Sequence, residues 1–318
     1  MKASETCNFS IAKLLPTECN LCPRACGANR RAGQLGACSA GNTLRLARAA
    51  LHFWEEPLIS AETGSGTVFF SGCPLRCVYC QNSSIALGEW GKDISFERLV
   101  EILLELQDQN ALNINFVTPT HYAPVAVAAV KEARKRGLIL PIVWNTSGYE
   151  TQDAIRALAG CIDIYLTDFK YASSELAKNY SNAPDYPHVA LAALQEMIAQ
   201  CGTPQVDEYL GQTRLISGVV VRHLLLPGHL KDSKAVVKLL HENFGNKIML
   251  SLMNQYTPVI QPDSRAARKF PELLVRPSNQ DYEELLDYAD SLGIEDYFWQ
   301  DGEAAKASFI PPFDYTGL

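Results

Sequence analysis

From about residue 66 the chain keeps one rhythm, a short β-rich apolar run followed by a stretch of helical period, six times over. The runs are TVFFSGC (67–73), NINFVTP (113–119), PIVWNTSG (141–148), IDIYLTDFK (162–170), SGVVVRHLLLPG (217–228) and KIMLSLMNQY (247–256). Between the first two, Ser95 is placed to cap a helix with Phe96, Leu99, Val100, Leu103 and Leu106 on one face. Further helices are expected at about 125–136 stopped by Gly137, at 152–158, at 189–200, after a cap at Asp232 or Ser233, and at about 280–292. Pro227-Gly228 suits a type II turn. Strands joined through helices run parallel with right-handed crossovers, and runs apolar on both faces need helices covering both sides. The class is therefore α/β. Periodicity by itself does not separate a partial barrel from an open doubly wound sheet.

In either architecture function belongs at the carboxyl ends of the strands. The polar residues falling there are Cys73, Thr118-Pro119-Thr120-His121, Asn145-Thr146-Ser147, Asp168 with Lys170, Arg222 with His223, and Asn254-Gln255. Asp168 and Lys170 lie two apart on a strand, so their side chains share a face, as a binding pair or as a plain structural ion pair.

The 318 residues are 47% hydrophobic and 20% charged, enough apolar material for a core and too much for wholesale disorder. With 35 acidic against 28 basic side chains the formal charge is −7, which argues against nucleic acid or an anionic membrane as the main partner. Apolar runs such as Leu138 to Trp144 fall far short of the ~20 residues that span a bilayer. Met1 to Ser10 shows no secretory pattern, so a cytoplasmic protein is expected. In a reducing compartment the ten cysteines point to metal or redox chemistry rather than disulfides.

Seven of the ten form two groups. Cys73, Cys77 and Cys80 make C-x3-C-x2-C in the loop after the first run, with the aromatic Tyr79 before the last cysteine. Three thiolates can hold three irons of a 4Fe–4S cube and leave the fourth iron open, whereas ferredoxins and structural zinc sites supply a fourth ligand. Cys19, Cys22, Cys26 and Cys38 make C-x2-C-x3-C-x11-C, a closed set of four for zinc or a second 4Fe–4S cluster. Their segment, residues 1–50, lacks apolar periodicity and can bury little surface, so bound metal is expected to order it. Cys7, Cys161 and Cys201 stand alone, and Cys161 reads as a small buried hydrophobe.

CPLRCVYCQN resembles the signature of the radical S-adenosylmethionine (SAM) superfamily. NTSGY, LTDFK and VRHLLLPG, in their order and spacing, resemble segments of the pyruvate formate-lyase activating enzyme group, over about 66–256. The N-terminal cysteines and HFWEEPLIS-x4-GSGTVFFSGC resemble an activase-like branch whose substrate is not assigned. The resemblance implies a partial (β/α)6 barrel with a Cys-rich N-terminal metal-binding segment. It also implies a 4Fe–4S cluster and SAM as cofactors, and reductive cleavage of SAM to a 5′-deoxyadenosyl radical that abstracts hydrogen. Cys73, Cys77 and Cys80 would be the catalytic metal ligands. Tyr79, Asn145, Thr146, Asp168, Lys170, Arg222 and Asn254 map to the cofactor site, Asn254 at a position where the activases carry histidine. The superfamily's Gly-Gly-Glu turn after the second strand is replaced by Thr118-Pro119-Thr120-His121; Thr118 and Thr120 offer hydroxyl acceptors, but the turn's negative charge is missing. His121 is either a contact to substrate or cofactor or a structural hydrogen-bonder.

The expected organisation is residues 1–50, a barrel over 51–260, and a helical extension and tail over 261–318. Expected partners are a flavodoxin- or ferredoxin-type electron donor and a glycyl-radical enzyme. Alternatives are modification of another macromolecule or a metabolite, or a non-catalytic iron–sulfur or zinc protein used for electron transfer. The tail Phe309-Ile310-Pro311-Pro312-Phe313 would cover the barrel or contribute to substrate docking, or pack simply to bury Phe309 and Phe313.

Overall fold

The computed structural model describes residues 10–294, 297–300 and 310–318; Cys7 and Phe309 lie outside them. Among the described residues ten strands form the framework: β1 (Leu44–His52), β2 (Ser65–Phe70), β3 (Lys92–Ile94), β4 (Ile114–Val117), β5 (Ile142–Thr146), β6 (Ile164–Asp168), β7 (Gln205–Tyr209), β8 (Gln212–Leu224), β9 (Met249–Met253) and β10 (Tyr297–Trp299). Their order across the sheet is β10-β9-β8-β6-β5-β4-β2-β1-β3, with β7 hairpinned onto β8. Every pairing from β2 through β4, β5, β6, β8 and β9 to β10 is parallel. All six expected strands are present in this run, and the two ends of the sheet, β3 and β10, do not pair with each other. The fold is a mixed α/β sheet of the partial-barrel kind.

Local chemistry explains the crossovers. Ser95 accepts from the Arg98 amide at 3.0 Å and starts the helix Phe96–Asp108, whose Leu99, Val100 and Leu103 are wholly buried. Each such leucine contributes roughly 1.5–3 kcal/mol by leaving water. The helix Ala123–Lys135 ends just before Gly137, where φ is +107°. Gly228 has a φ of +76° behind Pro227, and the His229 amide donates to the Leu226 carbonyl, as the expected turn requires. Trp144, Tyr165, Phe70 and Phe116 fill the space between sheet and helices.

Several expectations need correction. Asp232 and Ser233 do not cap the next helix, which begins earlier, at Leu230. The Asp232 carboxylate accepts instead from the amides of Ala172 and Ser173, at 3.2 and 2.7 Å, and ties down the loop after β6. The helix expected at 189–200 runs Tyr186–Cys201, and another, Ser174–Ser181, precedes it. Residues 44–52, where no strand was expected, form β1 antiparallel to β2, with Leu44 and Leu46 buried and Arg45 turned out to Asp93. Residues 297–299 add β10 to the parallel series. Cys161 is a buried small apolar residue, as expected.

The described tail lies along β1. The Ala49 amide donates to the Thr316 carbonyl and the Tyr315 amide to the Ala47 carbonyl. Arg48 pairs with Asp314 at 2.7 Å, Trp90 stacks on Tyr315, and Phe313 meets the edge of Phe69.

Candidate active site

The loop after β2 carries the three cysteines, and the close packing of its first turn depends on a glycine. Gly72 has a φ of +100°, and a Cβ there would stand 2.6 Å from the Cys38 carbonyl. Beyond it Arg76 adopts a φ of +54°, and the Cys80 amide donates to the Cys77 carbonyl. The Tyr79 ring is buried among Tyr171, Tyr180 and Tyr256. The hydroxyls of Tyr79 and Tyr171 are 2.8 Å apart, Tyr171 and Ser181 are 2.7 Å apart, and Ser181 donates to the Cys77 sulfur at 3.1 Å. A hydrogen-bonded chain thus ends on the middle cysteine. Burial pushes the Cys73 thiol up to about 11 and that of Cys80 up to about 12, so metal binding there must displace protons.

A cavity of about 240 Å³ opens beside this loop at the carboxyl ends of the strands. Cys73, Cys77, Tyr79 and Cys80 line one side, and Thr118, Asn145, Thr146, Asp168, Lys170 and Arg222 line it from the strands. Lys170 donates to Asp168 at 2.6 Å, and the Arg222 Nε donates to the other Asp168 oxygen at 3.0 Å. Arg222 also donates to the Asn145 amide oxygen at 2.8 Å. Burial opposes ionisation of Asp168, yet Lys170 and Arg222 together hold its carboxyl below the usual range. Burial likewise opposes charging of Lys170, and Asp168 outweighs it and holds the ammonium above its usual value. The Asp168–Lys170 pair is therefore both an ion pair and part of the cavity wall.

Glu55 was not among the residues singled out from sequence. It enters from the loop after β1, accepts from Arg222 at 3.2 Å and from Asn115 and Asn145 at 3.3 Å, and lines the same cavity. Burial raises its carboxyl, with Arg222 pulling the other way. The strand-two turn lacks an acid, and the cavity contains one from another element. His52 and Trp54 also line the cavity and were not anticipated, while Gln255 lines it from the end of the sixth run and Ile310 and Pro311 from the tail expected over the mouth. The only sequence signal for Glu55 was its place in HFWEEP, which says nothing of where that loop folds.

Two expected site residues lie elsewhere. Thr120 is buried in a one-turn 3-10 helix (Thr120–Tyr122), where its hydroxyl donates to Glu150 at 2.8 Å and is not offered to the cavity. Asn254 does not line the cavity; its neighbours Met253 and Gln255 do, because side chains of adjacent extended residues face opposite ways. Its amide donates to Gln300. His121 is structural: its ring nitrogen Nε2 lies 2.8 Å from the Ser71 carbonyl, away from the cavity. Thr118 does line the cavity, with a φ of +55° that is unusual for a β-branched residue.

Residues 67–211 match the family model described as the radical SAM superfamily. Over those residues the chain carries a radical SAM domain. An uncharacterized protein of Methanocaldococcus jannaschii is 26% identical over 295 residues, 90% of this chain and 78% of that protein. Among solved structures, a radical SAM methyltransferase from Sphaerobacter thermophilus matches with a TM-score of 0.51 at 14% identity, over 75% of this chain and 67% of that one. At that identity the likeness shows the fold alone. A domain of pyruvate-formate lyase-activating enzyme from Bacteroides vulgatus covers 59% of this chain and 99% of its own at 11% identity; its TM-score of 0.40 carries no argument about substrate.

The superfamily implies a 4Fe–4S cluster and SAM, and the donor set suits both. Three cysteines share one cavity with a lysine, an arginine and two carboxylates, as a cluster with an open iron and a zwitterionic sulfonium ligand require. Neither cysteine set is drawn in to metal-ligand spacing; among the described residues no three His, Cys, Asp or Glu side chains meet at one point. Among those residues no helix is long and apolar enough to cross a membrane.

Proposed function

We propose that this radical SAM protein abstracts hydrogen from a substrate presented at the cavity mouth, and that the substrate is a backbone glycine of a partner enzyme. The observation that carries the reading is the shared cavity: Cys73, Cys77 and Cys80 face the Lys170–Asp168–Arg222–Glu55 network across it. Cys73, Cys77 and Cys80 would hold the cluster, and bound there with SAM it would supply one-electron cleavage of a sulfonium bond and hydrogen-atom abstraction.

The chain's own residues do the rest. Lys170 suits the carboxylate of an amino acid moiety, and Asp168 or Glu55 suits its ammonium or ribose hydroxyls. Arg222 holds both carboxylates in place, so neither relaxes when the cavity fills. Trp54, Ile310 and Pro311 line the cavity with apolar surface that excludes water from a reactive centre. The similarity of NTSGY, LTDFK and VRHLLLPG to the activases supports the glycyl target.

The test combines reduced, reconstituted enzyme with SAM and candidate glycyl-radical enzymes from the same cell. Release of 5′-deoxyadenosine, and its loss in Cys77→Ala together with the cluster's absorbance, is the expected result for the radical chemistry. A glycyl doublet in the electron paramagnetic resonance spectrum is expected for the target. Robust 5′-deoxyadenosine formation driven by a metabolite or another macromolecule, with no doublet for any candidate, replaces the glycyl target and leaves the chemistry standing.

A further inference from the structure

The Cys-rich segment takes no part in the chemistry above, yet it lies directly under the loop that carries Cys73, Cys77 and Cys80. Cys19, Cys22 and Cys38 are buried, and Cys26 is exposed. All four are close enough to act on one another electrostatically, and Cys19 is in hydrogen-bonding contact with Cys26. The sulfurs of Cys26 and Cys38 lie 3.4 and 3.5 Å from the point where a Cβ on Gly36 would sit, so both flank the same stretch of backbone. Backbone N–H groups are aimed at the sulfurs: Arg24 at Cys22, Ala28 and Ala37 at Cys26, and Ala40 at Cys38. A neutral thiol is a weak acceptor, and such donors suit thiolates.

The charge of the segment points the same way. Residues 19–38 contain three arginines and no acidic residue. Arg30 is wholly buried; it donates to the carbonyls of Gly41 and His121, lies 5.1 Å over the Tyr122 ring, and its Nη2 has no hydrogen-bond partner, while burial raises the nearby Cys38 thiol and Arg30 pulls it the other way. A buried guanidinium without a compensating anion is costly. Four thiolates around one divalent ion carry a net charge of −2, the counter-charge that Arg24 and Arg30 lack.

We infer that Cys19, Cys22, Cys26 and Cys38 bind one zinc-class divalent ion, and that this centre braces the loop of Cys73, Cys77 and Cys80. Four thiolates close a tetrahedral zinc site and leave no position open, which is the arrangement of a structural ion. Binding releases one proton from each thiol that is not already ionised, and no electron moves. The brace is Arg24, which lies between Cys22 and Cys26 in the chain. It donates to the carbonyls of Pro74 at 2.9 Å, Leu75 at 3.3 Å and Ser181 at 2.7 Å, and Ser181 is the residue that donates to the Cys77 sulfur. The Cys38 carbonyl packs against Gly72, so the second half of the segment supports the start of the same loop.

The full chain with Cys73, Cys77 and Cys80 all changed to Ala, purified and dialysed, tests the ion. About one zinc per chain is expected, replaceable by Co(II) with the absorption of a tetrahedral thiolate site, and lost on adding Cys22→Ser. If that variant fails to fold, zinc is measured in the unaltered chain before iron is reconstituted. Iron with equivalent sulfide overturns the single ion, and neither metal overturns the site. Arg24→Ala tests the brace. It should keep its zinc, while the reconstituted cluster on Cys73, Cys77 and Cys80 is lost to a chelator several-fold faster. An unchanged rate overturns the brace.

Discussion

Arg222 sits between two buried carboxylates, 3.0 Å from Asp168 and 3.2 Å from Glu55. Removing it with Arg222→Leu leaves Glu55 and Asp168 facing each other with only Lys170 as counter-charge. The expected cost is roughly 3–5 kcal/mol of stability, read as a lower denaturant midpoint, and a variant as stable as the parent would contradict the balance described. His121 makes a different prediction. Burial pushes its imidazole down to about 3, with Arg30 adding to this and the bond to the Ser71 carbonyl opposing it. Unfolded, it takes up a proton near its ordinary value of 6.5. Its contribution to stability is therefore complete above pH 6.5 and is lost as pH falls from there toward 3. The loss approaches ~1.4 kcal/mol per pH unit. In His121→Gln the midpoint should fall less steeply between pH 6 and 4 than in the parent.

Elements decide where those residues go. Lys170 follows the end of β6, Asn145 and Thr146 close β5, and Arg222 is near the end of β8, so parallel register brings them to one rim. Thr118, just past β4, is the strained member of the rim. The family's turn here uses glycine, whose backbone accepts a positive φ without strain. Relief of strain outweighs the added freedom of the unfolded glycine, so Thr118→Gly should stabilise the chain by about 1 kcal/mol, as a raised melting temperature. The β7–β8 hairpin was not legible: the run read from residue 217 begins at Gln212, because pairing with β7 extends it. Leu210 and Gly211, with φ of +52° and +75°, make its tight turn.

At the scale of the molecule, the last described segment lies along β1, beside the cavity mouth. The tail is anchored through Phe313 on Phe69, Tyr315 on Trp90 and Asp314 on Arg48, while Ile310 and Pro311 reach the cavity wall. Two of the expected roles, covering the mouth and burying apolar side chains, thus fall to different residues of one segment. Phe313→Ala removes a half-buried ring and should lower stability by about 1–2 kcal/mol. It should also raise quenching of Trp54 fluorescence by a soluble quencher, since Trp54 shares the cavity with Ile310 and Pro311. A loss of stability with quenching unchanged would confine the tail to packing.

What the sequence by itself determined is what depends on near neighbours in the chain. Strand and helix periods, the Ser95 cap, the turn at Pro227-Gly228 and the three cysteines on one loop are all set within a dozen residues. The strand-end polar residues followed from the parallel architecture, which brings the ends of distant strands to one side. Only the tertiary structure decided that Glu55 supplies an acid to the cavity, because no local period carries the β1 loop across the sheet to Arg222 and Asn115. It likewise turned Asn254 and Thr120 away, since a one-residue change of facing and a single 3-10 turn are settled by packing. Arg24 spans from the Cys-rich segment to the carbonyls of Pro74 and Ser181 for the same reason: a guanidinium needs a fixed fork of acceptors, and these come from chain positions about 50 and 157 residues away.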